Sequence, residues 1–223
     1  MLGWHNHTMR KDQIEAFFLT LRAANPHPET ELKYASVFEL LTAVLLSAQA
    51  TDVAVNKATA RLFPVANTPQ KILALGLERL EGYIKTIGLY HSKARHLLQT
   101  CQILVEQHSG IVPRERIALQ ALPGVGRKTA NVVLNCAFGE PTMAVDTHIF
   151  RVGNRTGLAT GKTPLEVEVK LLKRIPVEYL ADAHHWLILH GRYVCMAREP
   201  RCWQCAVINY CDYQSKILSQ RIT

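Results

Sequence analysis

The sequence predicts an all-α protein, and three observations carry that expectation. Apolar residues recur at helical spacing in segment after segment. Thr followed by Pro marks two helix starts, and period-two strand patterns are scarce. The chain has 223 residues and is 48% hydrophobic. That suffices for one large domain or two small ones, and it is too apolar for a disordered chain.

The elements follow in order. Ile14, Phe17, Phe18 and Leu21 stand at i, i+3, i+4 and i+7, so an amphipathic helix ends before Pro26 and Pro28. Residues 38–48 are apolar nearly all round, which predicts a central, buried helix. Thr68 caps a helix with Pro69 at its first position, and Gly76 closes it. Ser92 is the expected cap of a helix carrying Ala94, Leu97, Leu98, Cys101, Leu104 and Val105, which ends at Ser109-Gly110. Thr163-Pro164-Leu165-Glu166 combines a capping box with a first-turn proline. A last long helix is expected near residues 178–194. The pattern gives about ten helices. No repeat or flexible linker is visible, so a second domain must pack closely and can draw on both ends of the chain.

The balance is basic, with 26 Lys+Arg against 18 Asp+Glu and a net charge of +8. A basic surface attracts phosphate, so nucleic acid is the leading partner. Residues 1–10 lack the apolar core of a secretory signal, and Met9 could serve as an alternative start. No apolar run is long enough to span a bilayer. A cytoplasmic, nucleoid-associated location is therefore expected, and thiols stay reduced there.

That bears on Cys195, Cys202, Cys205 and Cys211, separated by six, two and five residues. Reduced thiols this close can surround one soft metal centre. By spacing alone, zinc and an iron–sulfur cluster fit equally well. Cys101 and Cys136 lie in apolar helical patterns and read as small buried hydrophobes. His184, His185 and His190 lack metal-ligand spacing on a helix.

A second motif runs Leu122-Pro123-Gly124-Val125-Gly126-Arg127-Lys128-Thr129. A short helix precedes it at 116–121. Pro123-Gly124 is a turn, and Gly126 lets backbone approach a ligand. A new helix then begins, and its first N–H groups form an anion site suited to a DNA phosphate. An ordinary helical corner is the plain alternative. Lys128 sits in the first turn, where the helix dipole and Arg127 disfavour a second cation. Partial burial is expected to act in the same direction and favour the neutral, nucleophilic amine. A phosphate-binding surface lysine is the competing role. Asp146 ends an apolar approach just before a helical pattern, and so reads as a helix cap. A capping carboxylate is ionised and fixed in direction. It could accept a proton or stabilise a developing positive charge.

Together, residues 122–139, the segment AVDTHIFRVGNRTGLA at 144–159 and the cysteine quartet resemble one family. The chain is similar, from about Leu21 to Asp212, to the endonuclease III branch of the helix–hairpin–helix–Gly/Pro–Asp DNA glycosylases. The resemblance implies two helical domains. One is a six-helix barrel at 30–140 that contains the hairpin. The other is a discontinuous cluster domain, 1–29 with 141–223, holding a [4Fe–4S] centre on the four cysteines. It implies a bifunctional glycosylase/AP lyase acting as a monomer on duplex DNA with oxidised pyrimidines or abasic sites.

Lys128 then matches the Schiff-base lysine and Asp146 the catalytic aspartate. Gln49 matches the residue filling the hole left by a flipped nucleotide, and Leu89 the wedge. Gly124, Val125, Gly126 and Arg127 would hold the DNA backbone. His148 would line the pocket or meet a phosphate. Arg198 and Arg201 would touch phosphates from the cysteine loop, although Glu199 between them weakens that surface. The adenine-mismatch and thymine-mismatch branches often lack a lysine at position 128. The adenine-mismatch branch also carries an additional C-terminal domain, whereas this chain stops twelve residues after Cys211. A non-catalytic, zinc-stapled DNA-binding module is the reading from another class.

Overall fold

The computed structural model describes residues 8–219. Eleven α-helices account for most of them: α1 (Lys11–Ala24), α2 (Val37–Leu46), α3 (Asp52–Leu62), α4 (Pro69–Leu75), α5 (Leu77–Ile84), α6 (Tyr90–His108), α7 (Arg116–Gln120), α8 (Arg127–Phe138), α9 (Thr147–Thr156), α10 (Pro164–Arg174) and α11 (Val177–Tyr193). Two 3-10 turns follow, at Cys202–Gln204 and Ile208–Tyr210. The described residues contain no strand. No helix among them is long and apolar enough to cross a membrane.

The helix starts follow local chemistry. Ser36, Thr51, Thr68 and Thr163 each accept a hydrogen bond from the backbone N–H of the third helical residue, which satisfies a donor the helix cannot. Glu166 completes its box one residue early, accepting from the Lys162 N–H. Ser92 departs from expectation. It lies within the first turn of α6, and Leu89 stands at the cap with φ 60° and no side-chain cap bond.

The chain divides into two compact units. One is Thr30–Glu140; the other joins the described residues before Thr30 to those after Glu140. In the first unit every residue from Phe38 to Leu46 is buried, so α2 forms the centre against α3, α6 and α8. Truncating Leu41 or Leu46 to Ala would cost about 2–5 kcal/mol through lost transfer energy and a residual cavity. In the second unit Phe17 and Phe18 of α1 pack among the helices after α8. Phe18 stacks on Tyr179 with centroids 5.6 Å apart, and Trp186 donates its indole N–H to the Asn25 carbonyl at 2.8 Å. The Met9 N–H bonds the Gly157 carbonyl at 3.0 Å, and Arg174 donates to the Met9 carbonyl. Met9 is therefore built into the core. Residues 1–7 lie outside the described part of the chain.

Candidate active site and cysteine centre

The hairpin joins α7 to α8 in the Thr30–Glu140 unit. Gly124 has φ 77°, and a Cβ there would press on His96 at 3.1 Å, so two independent constraints ask for glycine. Thr100 donates to the Pro123 carbonyl at 3.0 Å and ties the turn to α6. Val125 points inward, 5% exposed, and its N–H is bonded to the Leu122 carbonyl. Its side chain braces the hairpin from within. Gly126 caps α8 in an extended conformation, with open space where a Cβ would stand. Arg127 and Lys128 follow in the first turn, and both are exposed. Among the described residues the partial burial expected of Lys128 is therefore absent.

Gln49 and Leu89 stand in separate turns of the same unit. Both are exposed, Leu89 at 61%, and both have left-handed backbone, φ 55° and φ 60°. Such conformations cost non-glycine residues about 1–3 kcal/mol and tend to mark functional positions. Of three such residues among those described, two are the pair singled out from the sequence.

Asp146 caps α9 in the other unit, as its local sequence predicts. Its Oδ1 accepts from the backbone N–H groups of His148 at 2.9 Å and Ile149 at 2.8 Å. Its Oδ2 lies 2.8 Å from His148 Nδ1. The carboxylate side chain is 9% exposed. The structure thus brings Asp146 and His148 together as one group.

The four cysteines also come together. They line one cavity of about 360 Å³, counting the space open to solvent, with His190, Tyr213 and Lys216. Burial, with the charge of the neighbouring thiolates adding, pushes the Cys205 thiol up to about 11 and raises Cys211 as well. Burial pulls His190 down to about 4, so at neutral pH its ring is uncharged beside Cys205. Cys101 and Cys136 are pushed up to about 12 by burial and behave as inert thiols.

Two arginines escaped the sequence reading. Arg151 donates from Nε to the Cys195 carbonyl at 2.9 Å and from Nη2 to the Gly191 carbonyl at 2.7 Å. Arg155 donates to the Met196 and Ala197 carbonyls, lies 3.7 Å from Cys195 Sγ, and stacks over Tyr213 at 4.5 Å. Their i, i+4 spacing put them on one face of α9, and that was the only signal available. Arg198, Glu199 and Arg201 are exposed on the loop these arginines hold.

Residues 42–177 match the HhH-GPD superfamily of base excision DNA repair proteins. Over 209 residues the chain is 66% identical to endonuclease III of Escherichia coli strain K12, covering 94% of this chain and 99% of that protein. The chain belongs to this superfamily, in its endonuclease III branch. Two solved endonuclease III structures share the fold at 46% identity, covering 92% of this chain and 96% of theirs. A non-covalent complex with DNA matches with a TM-score of 0.86, and a trapped covalent intermediate with DNA matches with 0.85.

Proposed function

We propose that the protein is a bifunctional DNA glycosylase and AP lyase of base excision repair. It removes oxidised pyrimidines from duplex DNA and cuts 3′ to the resulting abasic site. The observation that carries this reading is Lys128, exposed in the first turn of α8 directly after the glycine hairpin, in a chain that also caps a helix with Asp146.

A base inside a duplex must be flipped out before it can be attacked, and damage lowers that cost by weakening stacking. Leu89 wedges the stack and Gln49 fills the gap. Their left-handed turns project both side chains outward at a cost the fold bears in advance. The hairpin backbone, with Gly124, Gly126 and Arg127, holds a phosphate, and Arg198 and Arg201 add contacts. Lys128 Nζ then attacks sugar C1′ while the bond to the base breaks, and Asp146 offsets the positive charge growing on the sugar. Bound DNA supplies the desolvation that the free protein does not provide for Lys128. The amine forms an imine with the opened sugar. The imine acidifies the C2′ proton, whose removal expels the 3′ phosphate oxygen.

Cys195, Cys202, Cys205 and Cys211 hold a [4Fe–4S] cluster. All four line one cavity, where burial and the charge of the neighbouring thiolates raise Cys205 and Cys211, so a cationic centre among them is what lets them ionise together. The cluster supplies iron–sulfur cross-links that brace the segment after α11, whose described residues have only two 3-10 turns as regular structure. The units Thr30–Glu140 and 1–29 with 141–223 serve as the hairpin domain and the cluster domain. The protein acts as a cytoplasmic monomer on chromosomal DNA.

Borohydride trapping on duplex containing thymine glycol or an abasic site tests the reading. A covalent protein–DNA adduct is expected, and it must vanish in Lys128→Ala. Base release without cleavage would mark a monofunctional glycosylase, and binding alone a DNA-binding module. A colourless protein with one zinc per chain would overturn the cluster.

A further inference from the structure

The family resemblance implies a pocket or phosphate role for His148. Within the protein, the structure adds a partner for its ring. Its Nδ1 stands 2.8 Å from Asp146 Oδ2, while Asp146 Oδ1 is held by two backbone N–H groups. An ionised carboxylate only accepts, so Nδ1 carries the proton and donates it. The aspartate thereby receives three N–H donors and has no rotational freedom left.

The histidine is itself fixed at its base. Helix α11 crosses here so closely that a Cβ on Gly191 would lie 2.7 Å from His148 Cβ and 3.2 Å from its Cα. One turn further along α9, Arg151 rivets the same crossing through the Gly191 carbonyl at 2.7 Å. The imidazole thus projects from a clamped backbone. Its side chain is 32% exposed against 9% for Asp146, so it forms the outer wall of the carboxylate.

We infer that His148 is a positioning residue for base release. Through Nδ1 it holds Asp146 as a fixed negative charge beside the reacting sugar. A carboxylate carrying three donors is suited to offset charge and is poorly placed to swing out and collect a proton. The inference rests on the proposed role of Asp146. It implies that the step creating positive charge on the sugar needs His148, whereas imine chemistry on a preformed abasic site depends on it far less.

Three variants test it in the cluster-containing, full-length protein: His148→Ala, His148→Asn and Asp146→Asn. Ala keeps the Cβ that packs on Gly191 and removes only the ring. Asn places an amide N–H where Nδ1 stands. Single-turnover base release from a thymine glycol duplex is measured beside duplex affinity and borohydride trapping on preformed abasic DNA. Melting temperature and absorbance near 400 nm report folding. His148→Ala is expected to slow base release about ten- to a hundredfold, the worth of a hydrogen bond to a charged group. Affinity and abasic-site trapping should change less than about threefold on that view, and His148→Asn should recover most of the loss. Three outcomes overturn the positioning role alone, given an inactive Asp146→Asn: a fully active His148→Ala, a loss confined to affinity, or no recovery with Asn. An Asp146→Asn protein that still releases base overturns the assignment of Asp146, and this inference with it.

Discussion

Lys128 and Asp146 are prepared for their work in opposite ways. Lys128 is exposed at the start of a helix, on a hairpin shaped by two glycines. Asp146 is nearly buried, and three N–H donors hold its carboxylate. The contrast follows the chemistry proposed for each. A nucleophile must reach a carbon atom and then stay attached while the sugar opens, so freedom serves it. A counter-charge acts without moving, and every degree of freedom it keeps would have to be lost in the transition state.

The largest effect should come from the mobile partner. Lys128→Ala is expected to abolish borohydride trapping and to lower strand cleavage by on the order of a thousandfold or more. A retained adduct, located by peptide mapping, would move the nucleophile elsewhere. Asp146→Asn keeps the cap geometry and removes the charge, so it should slow base release by about a hundred- to a thousandfold while leaving duplex affinity within about threefold. Equal losses in lyase activity on abasic DNA would erase the division of labour between the two residues.

Leu89 sharpens the comparison from a third side. Glycine accepts φ 60° without strain, so Leu89→Gly should leave the melting temperature unchanged or higher while base release falls about tenfold with the loss of the apolar wedge. A parallel loss of stability would show that the side chain serves the fold.

The smallest effect concerns Lys93, four residues on. It is 4% exposed, its ammonium has no hydrogen-bond partner among the described residues, and burial lowers its pKa. Below the lowered folded value the burial cost is fully present. As pH rises towards the unfolded value near 10.5, stability should increase, because the unfolded chain binds more protons across that window. Lys93→Met should therefore raise the melting temperature by an amount equivalent to about 1 kcal/mol at neutral pH and lose that advantage as pH approaches 10. No change on substitution would show that the amine finds solvent by local opening.

The legible features were the local ones. The caps at Thr68, Thr163 and Asp146, the turn at Gly124 and the apolar wrap of α2 each depend on residues within a turn or two. Ser92 was misread for the same reason: a good capping side chain lost to a left-handed Leu89, which local propensity disfavours. The burial of Val125 and the exposure of Lys128 could not be read, because both depend on which faces of distant helices meet.

By itself the sequence determined the helical class, the hairpin and the cysteine quartet, since hydrophobic period, capping and ligand softness are properties of short segments. Tertiary structure alone decided that Arg151 and Arg155 hold the cysteine loop by its carbonyls, and that α11 presses on the backbone of His148. Those contacts join residues tens of positions apart. Their energies depend on burial and close approach, which no local pattern encodes.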